Sequence, residues 1–257
     1  MKHYSSLSMP AFFLCVLIAV ACVLEPPAEA QISGSSLLVQ SSLTNPGILP
    51  PHSKPFGKPY GEWSAAFWKW LYSMPVDAHP LFDTAECSEG QSGKVWFLGG
   101  TYTLVQAGPS VVIGEAYRTC YVPYGKALFF PIVNAECNTS ESPEATEEEL
   151  RACANYLADH IQNLAVTIDG ETIQMLDPYR VESPFFTFGP LPENNILEVE
   201  SGNEYDSVGD GFYIMLRPLS SGEHNIHFTG EAEFTEDEDG FDWLFKLDIE
   251  YDIIVGE

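Results

Sequence analysis

FDWLFKLDIEYDIIV (241–255) gives the clearest structural signal in this chain of 257 residues, because its residues alternate in character. The odd positions are all apolar: Phe241, Trp243, Phe245, Leu247, Ile249, Tyr251, Ile253 and Val255. The even positions are mostly Asp, Glu or Lys. Successive side chains of a β-strand point to opposite faces, so this period of two predicts a long strand with one buried and one solvated face.

Shorter strand signals precede this strand. Five apolar or alternating runs, separated by Gly and Pro, are KVWFL (94–98), TYTLV (101–105), SVVI (110–113), RTCYV (118–122) and KALFFPIV (126–133). Asp169-Gly170 predicts a type I′ hairpin turn within 166–174. We also predict strands at 194–200, 211–217 and 223–229. Many short strands of this kind favour a mainly β fold, and we expect an antiparallel β-sandwich or jelly-roll-like domain.

A tryptophan-rich helix is predicted at YGEWSAAFWKWLY (60–72). A helical wheel puts one group of side chains on a stripe that should pack against the sheet. That stripe consists of Trp63, Ala66, Phe67, Trp70 and Leu71. Trp68 and Tyr72 lie one turn apart and off the stripe, so we expect them either to be covered by the preceding segment or to form an open ligand surface.

A second, amphipathic helix is predicted at about 147–163. Thr146 and Glu149 have the spacing of a capping box. Acidic residues in the first turn complement the positive end of the helix dipole. Apolar residues then recur at helical spacing: Leu150, Cys153, Ala154, Leu157, Ile161 and Leu164.

Residues 1–30 have the features of a signal peptide. An apolar run at 9–24 is too short to span a membrane and is followed by a small-residue cleavage site, AEA (28–30). Cys22, at the end of AVAC, leaves lipoprotein processing as an alternative. Residues 31–59 are rich in Ser and Pro, which predicts a leader or linker. We expect residues 60–257 to form a single domain. We therefore expect an exported protein with no transmembrane segment.

Four cysteines remain after the predicted signal peptide, which suits two disulfides in an oxidising compartment. Sequential pairing closes the shorter loops and predicts Cys87–Cys120 and Cys137–Cys153. A zinc site is the alternative, but no two of these cysteines have C-x-x-C spacing.

The formal net charge of −26 restricts the partners of the chain. A protein with this much negative charge repels phosphate backbones and anionic membrane surfaces. We therefore expect no nucleic-acid partner. Glycans, extracellular matrix, basic proteins and cations remain compatible with this charge.

Two stretches could bind a metal. His224 and His227 lie three residues apart, but on a strand they would point to opposite faces. Asp237, Asp239 and Asp242 cluster around a glycine and could attract Ca²⁺, whereas a solvated hairpin tip is the simpler interpretation. Calcium is the only cofactor we consider, and the prediction is that no cofactor is bound.

Two further features concern modification and catalysis. Asn138-Thr139-Ser140 is a glycosylation sequon in a chain expected to be exported, so Asn138 could carry a glycan. The sequence contains no G-x-S-x-G elbow, P-loop or dinucleotide fingerprint, so no catalytic residue is predicted.

Several segments together are similar to a family of uncharacterised exported proteins, mostly bacterial and archaeal. They are YGEWSAAFWKW (60–70), GKVWFLGGTY (93–102), RTCYVPYGKALFFPIVNAEC (118–137), TEEELRACANYL (146–157) and PLSSGEHNIHFTG (218–230). The resemblance covers about 60–257 and implies one disulfide-bearing, mainly β domain with an N-terminal tryptophan-rich helix. It implies no activity and no catalytic residue.

Three functions are compatible with this sequence. The first is an exported, non-enzymatic binding or surface-structural module. The second is a glycan-active hydrolase or lyase that uses paired carboxylates, which leave no local sequence signature. The third is a calcium-dependent adhesion or sensing domain. Because β-sandwiches host both binders and enzymes, the fold does not choose among them.

Overall fold

The computed structural model describes residues 47–82 and 86–256. Within these ranges the chain forms ten strands, and more residues lie in strands than in helices. The strands are β1 (Val95–Phe97), β2 (Leu104–Gly108), β3 (Val111–Pro123), β4 (Ala127–Asn138), β5 (Ile161–Ile168), β6 (Glu171–Thr172), β7 (Phe186–Phe188), β8 (Tyr205–Leu216), β9 (Gly222–Phe234) and β10 (Trp243–Gly256). The α-helices in the same ranges are α1 (Tyr60–Tyr72), α2 (Glu147–Asp159) and the short α3 (Glu236–Asp239), and three single-turn 3-10 helices lie at Pro55–Gly57, Val76–Ala78 and Asp177–Tyr179.

The strands build two sheets. One has the order β1-β4-β8-β7, and the other β2-β3-β10-β9-β5-β6. The mainly β, sandwich-like fold is therefore confirmed. Each sheet nevertheless contains one parallel pair, β1 with β4 and β3 with β10, so both are mixed rather than purely antiparallel. Periodicity reports which face of a strand is buried and carries no information on strand direction.

The two sheets pack face to face, and α1 covers the other face of the four-stranded sheet. Between the sheets, the Phe130 ring of β4 stacks on Phe228 of β9 with centroids 5.1 Å apart. On the opposite face, Phe129 stacks on Tyr213, and Phe67 of α1 packs against that Tyr213 ring. Phe130 of β4 and the odd positions of β10 thus belong to one core, whereas a bulge between Pro131 and Val133 lets Glu136, further along β4, face α1.

The predicted helices form, with one difference in length. Thr146 and Glu149 make the capping box, and each reaches the other's backbone N–H. Helix α2 ends at Asp159 rather than near 163, because β5 begins at Ile161 and pairs with β9. The Asp169-Gly170 turn has positive φ at both residues, which confirms the type I′ hairpin.

The strand predicted at 194–200 is wrong. This segment is an irregular turn with positive φ at Asn194 and Glu198. The Asn195 side-chain amide donates to the carbonyl oxygens of Pro192 and Val199 and so replaces the ladder bonds of a strand. Apolar Ile196 is buried by the turn itself.

The C-terminal part of the predicted leader packs on the fold. Ile48 forms an antiparallel bridge with Leu216 of β8, and the Leu49 N–H donates to the Met215 carbonyl. The Tyr60 hydroxyl donates to the Leu49 carbonyl at 2.6 Å. The predicted signal peptide, Cys22 and the first part of the leader lie outside the described residues. None of the helices within the described ranges has the length and apolar character needed to span a membrane.

Both predicted disulfides are present. Cys87 pairs with Cys120, with Cα atoms 5.6 Å apart, and joins the loop after α1 to β3. Cys137 pairs with Cys153 at 6.1 Å and joins β4 to α2. Because all four thiols are bonded in pairs, they form no zinc site.

Candidate functional site

The outer face of the six-stranded sheet carries exposed tyrosines. Residues Tyr117 and Tyr121 point away from the core on β3, and Tyr124 follows just after that strand. Their exposed fractions are 62%, 67% and 66%, which is unusual for large aromatic side chains. Exposed aromatic side chains grouped on one face of a folded domain are a common mark of a binding site.

Carboxylates flank these tyrosines on β3 itself and on the neighbouring strand β10, and β9 lies beyond β10. We define the tyrosine–carboxylate face as the outward side chains Glu115, Tyr117, Thr119, Tyr121, Asn225, His227, Asp248, Glu250 and Asp252. The strand register places Tyr117 beside Glu250 and Glu250 beside His227. A shallow depression of about 440 Å³ on this face is lined by Glu115, Ala116, Tyr117, Asp248 and Glu250.

Hydrogen bonds order part of this face. The Tyr117 hydroxyl donates to the Asp252 carboxylate. The Asn225 side-chain amide donates to Glu250 at 2.9 Å and to Asp252 at 3.1 Å. The bond to Asp252 raises the pKa of Tyr117, and the same bond, followed by that from Asn225, lowers the pKa of Asp252. Asp252 therefore stays ionised and holds Tyr117 in place.

A second, buried carboxyl cluster lies under α1. Glu136 of β4 is buried, and its Oε1 accepts a hydrogen bond from the Ser207 hydroxyl of β8. Its Oε2 accepts from the Tyr72 hydroxyl at 2.7 Å and from the Asn138 amide at 3.2 Å. Burial raises the pKa of Glu136, and the three hydrogen bonds oppose that rise. All its partners are side chains of this chain, so the cluster primarily joins α1 to the sheet.

Glu141 extends this cluster towards the surface. Burial, and then the charge of Glu136, raise the pKa of Glu141 to about 8. A carboxyl group that keeps its proton near neutral pH can act as a general acid if a substrate reaches it. No local pattern in the sequence marks Glu136 and Glu141, because their shared burial arises only in the folded chain.

Trp68 and Tyr72 do not form an open surface. Tyr72 is only 5% exposed, and its ring packs on Phe188 of β7 with centroids 4.4 Å apart. Trp68 stacks on Tyr72 and lies so close to Gly209 of β8 that a Cβ there would fall 2.6 Å from the indole nitrogen. The covered alternative therefore holds, and among the described residues the cover comes from β7 and β8.

The acidic residues at the β9–β10 hairpin interact with the chain itself. Asp239 accepts hydrogen bonds from the Tyr156 hydroxyl at 2.7 Å and from the Thr235 N–H at 2.8 Å, and contacts His160 at 3.0 Å. Asp242 accepts from the Glu236 N–H, whereas Asp237 is exposed on α3. Over 47–82 and 86–256, no group of three His, Cys, Asp or Glu side chains is placed to hold a metal. Calcium binding stays a prediction that a melt with and without a chelator would test.

The two histidines of β9 have separate carboxylate partners. His224 Nδ1 lies 2.7 Å from Asp169, and His227 Nε2 lies 2.7 Å from Asp248 on the outer face. They do not converge on one point, as the alternation of the strand predicts.

The sequon asparagine is a poor acceptor for a glycan in the folded chain. Asn138 is 1% exposed, and its Nδ2, the atom that a glycan would modify, donates to Glu136. Its Oδ1 accepts from the Ser140 N–H at 2.8 Å. A glycan here would require the loss of a buried hydrogen-bond network, so the prediction for Asn138 is not supported by its environment.

Comparison of the chain with known protein families and curated proteins does not assign it to a family. No protein-family model matches the chain, and no curated protein matches it in sequence. The suspected resemblance therefore stays a prediction, and the function has to be argued from the geometry.

Proposed function

We propose that this protein is an exported, non-enzymatic binding module whose ligand surface is the tyrosine–carboxylate face. The observation that carries the proposal is the row of exposed tyrosines among ordered carboxylates. These side chains stand on long central strands, so the sheet fixes their positions without help from mobile loops. The two disulfides are compatible with export, because such bonds persist mainly in oxidising compartments.

The position of the exposed rings favours a ligand-binding surface over a surface that only contacts solvent. Tyr117 and Tyr121 lie on the same face of one strand, four residues and therefore about 13 Å apart. Tyrosine offers a large, rigid contact area with a polar end, which suits it to binding surfaces. The flanking amide, imidazole and carboxyl groups supply donors and acceptors around the rings.

The test is a binding screen with matched variants. The purified protein is tested against neutral glycans, matrix proteins and basic peptides, and each hit is repeated with Tyr117→Ala and Tyr121→Ala. We expect at least a tenfold loss of affinity, because an aromatic anchor is removed. Phe185→Ala, which removes an exposed aromatic from the segment before β7, is the control and should leave binding unchanged. A hit that is insensitive to both tyrosine variants would place the ligand elsewhere.

A glycan-active hydrolase or lyase is a second candidate, favoured by one observation. Burial and the charge of Glu136 raise the pKa of Glu141 to about 8, so Glu141 can be the protonated member of an acid–base pair, while burial raises the pKa of Glu136 and the hydrogen bonds to that carboxyl lower it. The test is release of reducing ends or unsaturated sugars from a polysaccharide panel. Activity that Glu141→Gln abolishes without unfolding the protein would favour this candidate over the binding module.

A further inference from the structure

We propose that the tyrosine–carboxylate face binds a cationic partner, namely a lysine- and arginine-rich segment of a basic protein. The inference rests on the proposed function and gives its ligand a chemical class. It is carried by the balance of charge on the face, by the strand register and by the exposed rings.

The outward positions of the three central strands are strongly unbalanced in charge. Their carboxylates are Glu115, Glu223, Glu231, Glu233, Asp248, Glu250 and Asp252, against a single lysine, Lys246. Lys246 pairs with Glu231 at 2.5 Å. Among the residues that the structure describes, no lysine or arginine forms an ion pair with Glu115, Glu250 or Asp252.

The register places two exposed carboxylates side by side without a lysine or arginine between them. Glu115 of β3 is the direct neighbour of Asp248 of β10, on strands that lie about 4.8 Å apart. Like charges in this position destabilise a sheet. The Asp248 carboxylate lies 2.7 Å from Nε2 of His227, which is a cation only when protonated. An ammonium or guanidinium group between Glu115 and Asp248 would turn this repulsion into attraction.

The shape and chemistry of the depression fit such a group. Glu115, Asp248 and Glu250 give carboxylates on two neighbouring strands, and Tyr117 lines the same depression. A lysine or arginine side chain can pack its methylene stem on the ring and place its charge against the carboxylates. Tyr121, about 13 Å further along β3, offers a second ring to another basic residue of an extended segment. The flat, open face suits a polypeptide better than a bare metal ion, which needs converging ligands.

The whole-molecule charge favours the same partner. A chain with net charge −26 attracts basic proteins over distance and raises the rate of encounter, while the local carboxylates fix where the partner binds. Because the attraction includes exposed charges, affinity should fall with ionic strength.

The experiment measures the affinity of a fluorescent ten-residue Lys/Arg peptide by anisotropy at 50 and 300 mM NaCl. The test variant is Glu115→Gln/Asp248→Asn. The control variant, Glu148→Gln/Glu204→Gln, removes two exposed carboxylates from other surfaces and so changes net charge equally. We expect the Kd of the peptide to rise at least tenfold for the test variant and less than twofold for the control variant. Tyr117→Ala should also lower the affinity for the peptide. Thermal melts of each variant establish that the fold is retained.

The outcomes separate this inference from the proposed function. Equal losses in the test and control variants would mean non-specific attraction and overturn the inference. Failure of the peptide to bind, with a neutral glycan bound in a Tyr117-dependent manner, would overturn the cationic partner and leave the binding module intact. Binding of a ligand with an affinity that is unchanged by substitution of Tyr117, Tyr121 and the carboxylates would overturn both the cationic partner and the proposed binding surface.

Discussion

Glu136 is a buried acid whose environment would also suit an amide. Oε2 accepts two hydrogen bonds, from Tyr72 and Asn138, while Oε1 meets a hydroxyl at Ser207 that can either donate or accept. A neutral side chain of the same shape can therefore keep every contact. What the carboxylate adds is sensitivity to pH, because burial penalises its charged form.

Glu141 should make the stability of the protein depend on pH. Its pKa is raised from 4.5 to about 8 by burial and by Glu136, so the folded chain holds a proton that the unfolded chain releases. Stability is then greatest below about pH 4.5 for this group and falls as pH rises towards about 8. Glu141→Gln removes that fall, and its free energy of unfolding should exceed that of the parent by at least ~1 kcal/mol at pH 8.5.

Urea denaturation at pH 5 and pH 8.5 measures this difference. Glu204→Gln, an exposed carboxylate with the same chemical change, is the control and should follow the parent at both pH values. A Glu141→Gln curve parallel to that of the parent would mean that Glu141 titrates alike in the folded and unfolded chains.

Individual residues were predictable where the signal was local. Thr146 and Glu149 are three residues apart, so their capping box could be read directly from the sequence. The role of Glu136 depends on three side chains from α1, β4 and β8, and nothing in the sequence distinguishes it among 37 acidic residues. The Tyr117 and Tyr121 pair could have been found from the alternation of RTCYV, had that run been extended two residues back to Ala116.

Helix α2 depends on a covalent link to the sheet. Its own apolar cluster is small, comprising the buried residues Cys137, Leu150, Ala154 and Val208. Arg180 adds a polar connection, with its guanidinium 2.7 Å from Asp210 of β8 and 2.7 Å from Asp159 at the end of the helix. The disulfide at Cys153 is thus the strongest single constraint on its position.

Removing that disulfide should loosen α2 more than the rest of the fold. Cys137→Ala/Cys153→Ala opens a link that spans 16 residues of sequence, which corresponds to about 3 kcal/mol on the chain-entropy model. Urea denaturation gives the loss of stability, and hydrogen exchange should show faster exchange in α2 than in β10. Uniformly faster exchange in both elements would contradict a local role for the disulfide.

The elements themselves were mostly predictable, and the exceptions share a cause. Helix α1 and strand β10 have strong periodicity over more than ten residues, and both form as predicted. The end of α2 and the turn at 194–200 depend on tertiary pairing and on the Asn195 amide, which local propensity does not report.

The molecule as a whole carries far more negative than positive charge, and several of its cations are already committed within the fold. Arg151, Arg180 and Lys246 are held in salt bridges with neighbouring carboxylates. The carboxylates on the outer face of the six-stranded sheet therefore still repel one another, and this repulsion destabilises the folded state at low ionic strength.

Salt should accordingly stabilise the protein. Raising NaCl from 10 to 300 mM shortens the range of repulsion among the exposed carboxylates. We expect the melting temperature to rise by about 2 to 4 °C, equivalent to ~1 kcal/mol for a domain of this size. KCl should act equally, since screening does not depend on the identity of the monovalent cation. An unchanged melting temperature would show that repulsion among the exposed carboxylates does not lower the stability of the protein.

The parallel pairing of β3 with β10 also governs when the larger sheet can be completed. Leu244 to Gly256 align with Val111 to Pro123, partners separated by more than a hundred residues of chain. Contacts this distant in sequence form slowly. During synthesis, β3 has to wait for its neighbour until residue 256 has left the ribosome. Any nascent chain that ends before β10 therefore leaves one edge of β3 without its partner strand, although the β2–β3 pair can already form.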